Sequence, residues 1–208
     1  MSAPITDIEE ARAALAAAEG VLIDWDGCLA FGNRISPEAK RFLIAQRDRT
    51  AIISNNSTEL PEDFAQWLAE EGVRPQVRRI ILAGAETIRQ LAATSRDRKI
   101  LLFASERLRA YARGLGLSLA KTDASQVALL RDTHFSYAKL ARAVAAIENG
   151  AGLIVSNGDA AHPGRETRIP ETGALLAALK TAASMDDDAI EIIGKPAPLL
   201  FELGAKSL

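Results

Sequence analysis

Short runs of apolar residues alternate along the chain with longer segments in which apolar residues recur at helical spacing. The apolar runs predict strands at 21–23, 50–53, 79–82, 99–103, 126–130, 153–155 and 190–193. The helical spacing predicts helices at 6–18, from 36 onwards, at 60–71, 137–148 and 173–183. Buried strands that alternate with amphipathic helices are typical of an α/β fold with a mainly parallel sheet, and we expect that fold here.

Two of the predicted helices begin at recognisable capping residues. Thr6 and Glu9 have the spacing of a capping box, so the first helix is expected to begin at Thr6. Ser36 precedes Pro37, and serine is a good N-cap while proline suits the first helical turn. These signals set the expected beginnings of the first two helices.

Composition narrows the class of protein without defining its chemistry. The chain has 208 residues, of which 48% are hydrophobic, enough for one large domain or a domain with an insertion. It has 25 lysines and arginines against 27 aspartates and glutamates, which argues against a general nucleic-acid binder. The single cysteine, Cys28, cannot form an intrachain disulfide. The sequence lacks an apolar run of membrane-spanning length and a secretory leader, so we expect a soluble, cytoplasmic protein.

Two aspartates follow the first predicted strand in the sequence Asp24-Trp25-Asp26-Gly27. Ligands of open α/β sheets bind beyond the carboxyl ends of the strands, which places both carboxylates at a functional edge. Residues i and i+2 of an extended chain project to one side about 6.5 Å apart, which favours a shared proton or a bridging Mg2+. The pair suits a nucleophile and an acid/base, and the alternative is a strand-ending turn without chemistry.

Two further polar motifs also follow apolar strands. Ser54, Asn55 and Asn56 offer a hydroxyl, amides and backbone N–H groups for a phosphate, although such a turn can simply cap the next helix. Lys195 could neutralise charge on a transferring phosphoryl group, although an exposed lysine is usually solvated. The order of the three motifs, each after an apolar strand, favours one shared site.

These motifs resemble those of the haloacid dehalogenase superfamily of phosphatases. Asp24-x-Asp26-Gly27 matches the first motif of that superfamily, Ser54-Asn55-Asn56 the second, and Lys195, within Gly-Lys-Pro, the third. The stretch 154–179 is similar to the pattern Thr-Asn-x-Asp…His-Pro…Pro-Gly-x-Gly of subfamily IIA, with Ser156 where threonine is common. That subfamily includes 4-nitrophenyl, pyridoxal, phosphoglycolate and nucleotide phosphatases.

The resemblance implies a Rossmann-like parallel-sheet core with a large inserted α/β cap domain. The core would comprise residues 1–84 and 184–208, incomplete at its C-terminus, and the cap residues 85–183. A homodimer formed through the cap is also implied. The expected partner is a small phosphorylated metabolite, with neither nucleic acid nor a membrane as a partner.

The resemblance further implies a role for each motif residue. Asp24 would attack phosphorus, and Asp26 would protonate the leaving oxygen and then activate water. Mg2+ would bind the Asp24 carboxylate and the Asp26 carbonyl. The phosphoryl group or the rest of the substrate would be bound by residues of all three motifs and of the cap, namely Ser54, Asn55, Asn56, His162 and Lys195.

The expected function is therefore a Mg2+-dependent, metal-binding hydrolase that cleaves a small phosphomonoester through an aspartyl-phosphate. One alternative follows from the superfamily's fourth motif, whose aspartate completes the metal site some tens of residues after the lysine. Because the sequence ends at Leu208, before such a motif, the alternative is a truncated or catalytically impaired phosphate-ligand binder. A third interpretation, a glycosyltransferase metal-nucleotide motif at Asp24 and Asp26, leaves Ser54 and Lys195 without a role.

Overall fold

The structure, a computed structural model, describes residues 7–31, 34–164 and 167–208. The strands are β1 (Val21–Asp24), β2 (Ala30–Phe31), β3 (Arg34–Ile35), β4 (Thr50–Ser54), β5 (Ile80–Leu82), β6 (Lys99–Phe103), β7 (Ser118–Leu119), β8 (Gln126–Leu129), β9 (Gly152–Val155), β10 (Ala161–Pro163), β11 (Arg168–Pro170) and β12 (Ile190–Ile192). The helices are α1 (Ile8–Ala17), α2 (Pro37–Ala45), α3 (Pro61–Glu70), α4 (Ala83–Thr94), α5 (Glu106–Gly114), α6 (Tyr137–Glu148), α7 (Thr172–Ala183) and α8 (Leu199–Ser207). Each strand and helix bounded from the sequence is present, with its ends within about two residues of the prediction.

The expected helix caps are confirmed for α2 and shifted for α1. The Ser36 side chain accepts a hydrogen bond from the Ala39 N–H at 3.0 Å, as a serine N-cap should. Helix α1 is instead capped by Asp7, whose carboxylate accepts from the backbone N–H groups of Glu9 and Glu10. Thr6 lies outside the described residues.

Two parallel sheets form the framework. The smaller has the order β1-β4-β5, and the larger has the order β12-β9-β8-β6-β7. Strands of this kind are covered by helices on their faces and carry nearly continuous apolar sequence, which is why the short apolar runs predicted them. The α/β fold with parallel sheets is therefore confirmed.

The helices bury two apolar clusters. The first runs from the smaller sheet, at Ile52 and Leu82, to one face of the larger sheet, at Ile100 and Leu102. The second lies on the other face of the larger sheet, where α6 and α7 cover Leu101, Val127 and their neighbours. Because the first cluster contains residues of both sheets, apolar packing joins the two sheets.

The chain crosses between the sheets near the predicted domain boundaries. Strand β12 falls in the segment assigned to the core from the sequence, yet it pairs with β9 in the larger sheet. Helix α8 then packs against the smaller sheet, where its Gly204 lies close to Leu22 and Ile53. The division into 1–84 with 184–208 and 85–183 stays a prediction.

Several elements were not bounded from the sequence because they lack a clear period. The antiparallel hairpins β2–β3 and β10–β11 have strands of only two or three residues each. Helices α5 and α8 have only nine residues each, and α4 follows β5 without an intervening residue. Within the described ranges, no helix combines the length and the apolar character needed to cross a membrane.

Candidate active site

The predicted site residues meet where the carboxyl ends of strands from both sheets approach each other. Asp24 ends β1 and Ser54 ends β4 in the smaller sheet, while Lys195 follows β12 in the larger sheet. A cavity of about 1510 Å3 opens at this junction. Six of the seven predicted site residues line it, namely Asp24, Asp26, Asn55, Asn56, His162 and Lys195.

The Asp24 carboxylate is oriented by two donors on the same oxygen. Its Oδ1 accepts from the Trp25 backbone N–H at 2.8 Å and from the Lys195 ammonium in a close ion pair. The Lys195 ammonium also donates to the Ile53 carbonyl oxygen at 3.3 Å. Lysine and aspartate thus neutralise each other at the cavity, although the two residues are 171 positions apart in sequence.

Asp26 is the second carboxyl group of the cavity, and it lies against Ser54. The Ser54 hydroxyl donates to Asp26 Oδ2 at 3.3 Å and accepts from the Asn56 N–H at 3.0 Å. Partial withdrawal from water raises the pKa of Asp26, and the negative charge of Asp24 adds to that rise. The Ser54 hydrogen bond and the positive charge of Lys195 oppose it, as does the charge of His162 when that ring is protonated. A carboxyl group with a raised pKa is suited to donating a proton.

Ser54 is fully buried and is not among the residues that line the cavity. Its hydroxyl donates to Asp26, which does line the cavity. The sequence alone suggested a direct contact between this hydroxyl and a phosphoryl oxygen. That contact stays a prediction, and the interaction with Asp26 is one that the sequence did not reveal.

The turn that contains the two aspartates is held in place by a buried tryptophan and is made possible by a glycine. Trp25 is buried and makes edge-to-face contacts with Phe64 and Trp67, each at a ring-centroid distance of 5.2 Å. Gly27 has φ +78°, a left-handed backbone conformation that is unfavourable for residues other than glycine. The chain therefore turns sharply at Gly27, directly after Asp26.

The side chain of Asn55 joins the turn at the end of β4 to the loop that carries Lys195. Its Oδ1 accepts from the Lys195 N–H at 2.7 Å, and its Nδ2 donates to the Lys195 carbonyl at 3.1 Å and to Asp159 Oδ2 at 2.9 Å. Gly194 makes this approach feasible, because a Cβ there would lie 2.6 Å from Asn55 Oδ1. Asn55 thus fixes Lys195 relative to Ser54.

Asn56 stabilises its own turn in the same way that many asparagines do. Its Oδ1 accepts from the backbone N–H groups of Thr58 and Glu59, both at 3.0 Å. The amide side chains of Asn55 and Asn56 therefore both have protein partners. A role for either residue in phosphate binding stays a prediction.

Asn157 connects the two sheets through a buried polar cluster behind the cavity. Its amide nitrogen lies 3.0 Å from the Asn55 carbonyl oxygen, 3.2 Å from Ser57 Oγ and 3.3 Å from Thr172 Oγ1. Asn157, Ser57 and Thr172 are all essentially fully buried. A buried network whose members are satisfied is expected to hold its parts rigidly.

We therefore expect Asn157→Ala to destabilise the protein by about 2 kcal/mol, because it leaves buried acceptors without a donor. Urea unfolding measures this free energy. The matched control is Asn149→Ala, at the exposed C-cap of α6, whose side chain donates, among the described residues, to the Ala145 carbonyl alone. Its expected effect is within about 0.5 kcal/mol. Equal losses in the two variants would show that the buried network contributes nothing specific.

His162 reaches the cavity from β10 and contacts residues that the sequence did not single out. Its Nδ1 lies 2.6 Å from Glu171 Oε1, and the same oxygen lies 3.4 Å from Arg131 Nε. Glu171 stands at the first glycine of the Pro-Gly-x-Gly pattern of subfamily IIA, because the chain reads Pro170-Glu171-Thr172-Gly173. That departure was the available signal for Glu171, whereas nothing local in the sequence marks Arg131.

The donors at the cavity fit Mg2+ in chemical kind. Magnesium prefers oxygen ligands and commonly uses one or two carboxylates together with waters and substrate phosphate. The Asp24 carboxylate and the Asp26 carbonyl are such donors and lie two residues apart on one turn. In the described part of the chain, no three histidine, cysteine, aspartate or glutamate side chains cluster as a metal site. The assignment of the Asp24 carboxylate and the Asp26 carbonyl as the Mg2+ ligands stays a prediction.

Comparison with known proteins places the chain among hydrolases. The model of the family described as haloacid dehalogenase-like hydrolase matches residues 21–118. Human chronophin is 33% identical over 211 residues, an alignment that spans 92% of this chain and 70% of chronophin. The chain belongs to the haloacid dehalogenase-like hydrolases, within the type of subfamily IIA, and the predicted resemblance is confirmed.

Solved structures support the same assignment. A double mutant of a thermostable NPPase from Geobacillus stearothermophilus matches with a TM-score of 0.79 at 28% identity, covering 91% of this chain and 75% of that one. The glycerol phosphate phosphatase of Mycobacterium tuberculosis, solved in complex with magnesium, matches with a TM-score of 0.79 at 26% identity. That match covers 90% of this chain and 58% of the other.

Proposed function

We propose that the protein is a Mg2+-dependent phosphatase that hydrolyses a small phosphomonoester through an aspartyl-phosphate. The observation that carries this proposal is the Asp24 carboxylate, held at the cavity by Lys195 and Trp25, with Asp26 beside it in contact with Ser54. Family membership supports the phosphatase interpretation over the glycosyltransferase interpretation. The phosphatase interpretation also gives Ser54 and Lys195 a role, whereas the glycosyltransferase interpretation gives them none.

The first half of the reaction transfers the phosphoryl group to Asp24. Both described hydrogen bonds of its carboxylate go to Oδ1, which leaves Oδ2 as the oxygen that attacks phosphorus. The bond between phosphorus and the leaving oxygen breaks while Asp26 donates its proton to that oxygen. The raised pKa of Asp26 favours the protonated form that this step requires.

The second half returns Asp24 to its free carboxylate. Asp26, now ionised, takes a proton from water, and the resulting hydroxide attacks the phosphorus of the aspartyl-phosphate. The bond between phosphorus and Asp24 breaks, and inorganic phosphate leaves. Lys195 stabilises the negative charge of the phosphoryl oxygens in both halves and neutralises Asp24 between turnovers.

Magnesium, held by the Asp24 carboxylate and the Asp26 carbonyl, would reduce the repulsion between the attacking carboxylate and the phosphate dianion. The proposed phosphate-binding set is Ser54, Asn55, Asn56 and Lys195, with His162 above the rest of the substrate. The fixed Asn55–Lys195 contacts support this set, because they hold the ammonium at the end of β4. The substrate is proposed to be a small phosphorylated metabolite, and a second copy of the chain is proposed to bind through the cap.

The test is turnover of 4-nitrophenyl phosphate and glycerol 3-phosphate by the purified chain, first in EDTA and then with Mg2+ restored. We expect phosphate release only with Mg2+, at a rate on the order of 1 s−1 or faster. Calorimetric titration of inorganic phosphate into the protein with Mg2+ accompanies the assay. Binding of phosphate without turnover of either ester would contradict the proposal that the chain is a phosphatase and would support the alternative, a catalytically impaired phosphate-ligand binder.

A further inference from the structure

Glu171 is a carboxylate that the proposed chemistry does not use, although it lines the same cavity as Asp24 and Lys195. Its side chain is only 15% exposed, and its Oε1 lies between His162 Nδ1 and Arg131 Nε. Both nitrogens are buried, and neither makes a hydrogen bond of accepted geometry within the described residues, although Glu171 Oε1 lies close to each. Glu171 is therefore the acceptor available to both of them.

The backbone holds Glu171 and His162 in a fixed relation. His162 lies on β10 opposite Ile169 of β11, and the chain turns from that hairpin directly into Glu171, the N-cap of α7. The Glu171 N–H donates to the Ala160 carbonyl oxygen at 3.0 Å, which closes the base of the hairpin. The backbone thus places the Glu171 carboxylate on the Nδ1 side of the His162 imidazole.

A carboxylate that contacts one imidazole nitrogen determines what the other nitrogen can do. An ionised glutamate has acceptors only, so the His162 nitrogen facing Glu171 must carry the proton. At 2.6 Å the two atoms are within hydrogen-bond distance, although the carboxylate lies off the ideal direction. In the neutral ring Nδ1 is then the donor, which leaves Nε2 as an acceptor for a group in the cavity.

Arg131 contacts the same carboxylate oxygen of Glu171 as His162 does. Its side chain is 22% exposed, and its backbone N–H donates to Ser57 Oγ at 3.2 Å, within the buried polar cluster around Asn157. The guanidinium places a positive charge beside Glu171 Oε1 and opposes rotation of the carboxylate away from the cavity wall. Arg131 therefore links the placement of Glu171 to the turn that follows Ser54.

We propose that Glu171 is a positioning residue that holds His162 with Nδ1–H towards the protein and Nε2 towards the substrate. Nε2 accepts a hydrogen bond from the leaving group, so the site favours phosphomonoesters whose leaving group carries a hydroxyl, as in glycerol phosphate. This inference rests on the proposed phosphatase function and names the chemical class of its substrate. It assigns to Glu171 an effect on binding rather than on the chemical step.

The variants Glu171→Gly and Glu171→Gln test this role. Glycine removes the acceptor and matches the subfamily pattern, so the fold is expected to tolerate it. Glutamine keeps a carbonyl oxygen, and because His162 and Arg131 both donate, the amide is expected to turn that oxygen towards them. We expect Glu171→Gly to raise KM for glycerol 3-phosphate about tenfold with kcat nearly unchanged, and Glu171→Gln to restore most of the loss. KM for 4-nitrophenyl phosphate should change little.

The imidazole tautomer provides a readout that does not depend on turnover. The chain has two histidines, and His134, which is exposed, serves as the internal reference. Long-range 15N–1H spectra of the neutral rings are expected to show His162 as the Nδ1–H tautomer in the wild type and in Glu171→Gln. In Glu171→Gly the Nε2–H tautomer, which is usual for a free ring, is expected.

Three outcomes would overturn parts of the account separately. An active wild type whose KM is unchanged in Glu171→Gly would overturn the substrate contact and leave the phosphatase standing. A wild-type His162 with its proton on Nε2 would overturn the positioning role, whatever the activity. An inactive wild type with the Nδ1–H tautomer would overturn the phosphatase and its substrate class while supporting the contact between Glu171 and His162.

Discussion

Replacing Asp24 by asparagine is expected to abolish phosphate release, with kcat lowered by about 10^4-fold or more. An amide is a poor nucleophile, and the substitution also removes the negative charge that Lys195 and the proposed cation balance. Initial rates with 4-nitrophenyl phosphate and Mg2+ measure the loss. Because Asp24 is exposed, Asn is expected to leave the fold intact, which a thermal unfolding curve verifies.

The matched control is Glu59→Gln, which removes a negative charge of the same size from another exposed residue of the cavity wall. The Glu59 backbone N–H is bound by Asn56, whereas its side chain has no place in the proposed chemistry. Its activity is expected to stay within about threefold of the wild type, since surface substitutions of this kind have small effects. If Asp24→Asn retained a tenth of the wild-type rate, Asp24 could not be the nucleophile.

Replacing Asp26 by asparagine is expected to have an effect that depends on the leaving group. Loss of a general acid typically lowers rates by about 10^2- to 10^4-fold, and the loss is greatest where the leaving oxygen is strongly basic. The alkoxide of glycerol phosphate needs a proton to leave, whereas 4-nitrophenolate hardly does. We therefore expect kcat/KM to fall about 10^3-fold for glycerol 3-phosphate and about tenfold for 4-nitrophenyl phosphate.

The choice of kcat/KM separates the two roles of Asp26. It reports steps up to the first phosphoryl transfer, whereas kcat also contains hydrolysis of the aspartyl-phosphate, in which Asp26 acts as a base with either substrate. Equal losses of kcat/KM for the two substrates would exclude Asp26 as the acid that protonates the leaving group.

The raised pKa of Asp26 has a consequence for the pH dependence of the same reaction. Burial and the charge of Asp24 favour the protonated acid, so the proton needed by the leaving group persists to higher pH than in a free aspartate. The kcat/KM for glycerol 3-phosphate should fall as pH rises through that pKa. The value for 4-nitrophenyl phosphate should fall less over the same range, and a common profile would contradict the assignment.

Much of the fold could be predicted from the sequence because most strands of the two parallel sheets are short and apolar, and the central ones are buried on both faces. The run at β4 reads as a strand for this reason, and all five of its residues are buried. The β10–β11 hairpin was not accessible, because its three-residue strands have no measurable period and the residues of β11 are exposed. The hairpin nevertheless carries His162 to the cavity, so a functional element was among those that periodicity could not bound.

The sequence was sufficient to predict which residues form the candidate site, but not most of the contacts between them. Asp24, Asp26 and Lys195 could be placed together because each follows a strand, and parallel strands present their carboxyl ends at one edge. The partners of Asn55 could not be inferred, because they lie 104 and 140 residues away in sequence. The same holds for Glu171, whose contact with Arg131 depends on how α7 meets the end of β8.

The most direct test of the central claim is to trap the acyl phosphate on the wild-type chain. The enzyme is mixed with 4-nitrophenyl phosphate and Mg2+, quenched in acid within one turnover and reduced with borohydride, which converts an aspartyl-phosphate to the corresponding alcohol. Tandem mass spectrometry of the peptide that contains Asp24 is expected to find this alcohol at position 24, and only when substrate was present. Release of 4-nitrophenol with position 24 unmodified, or with the modification at Asp26 or another residue, would contradict the account.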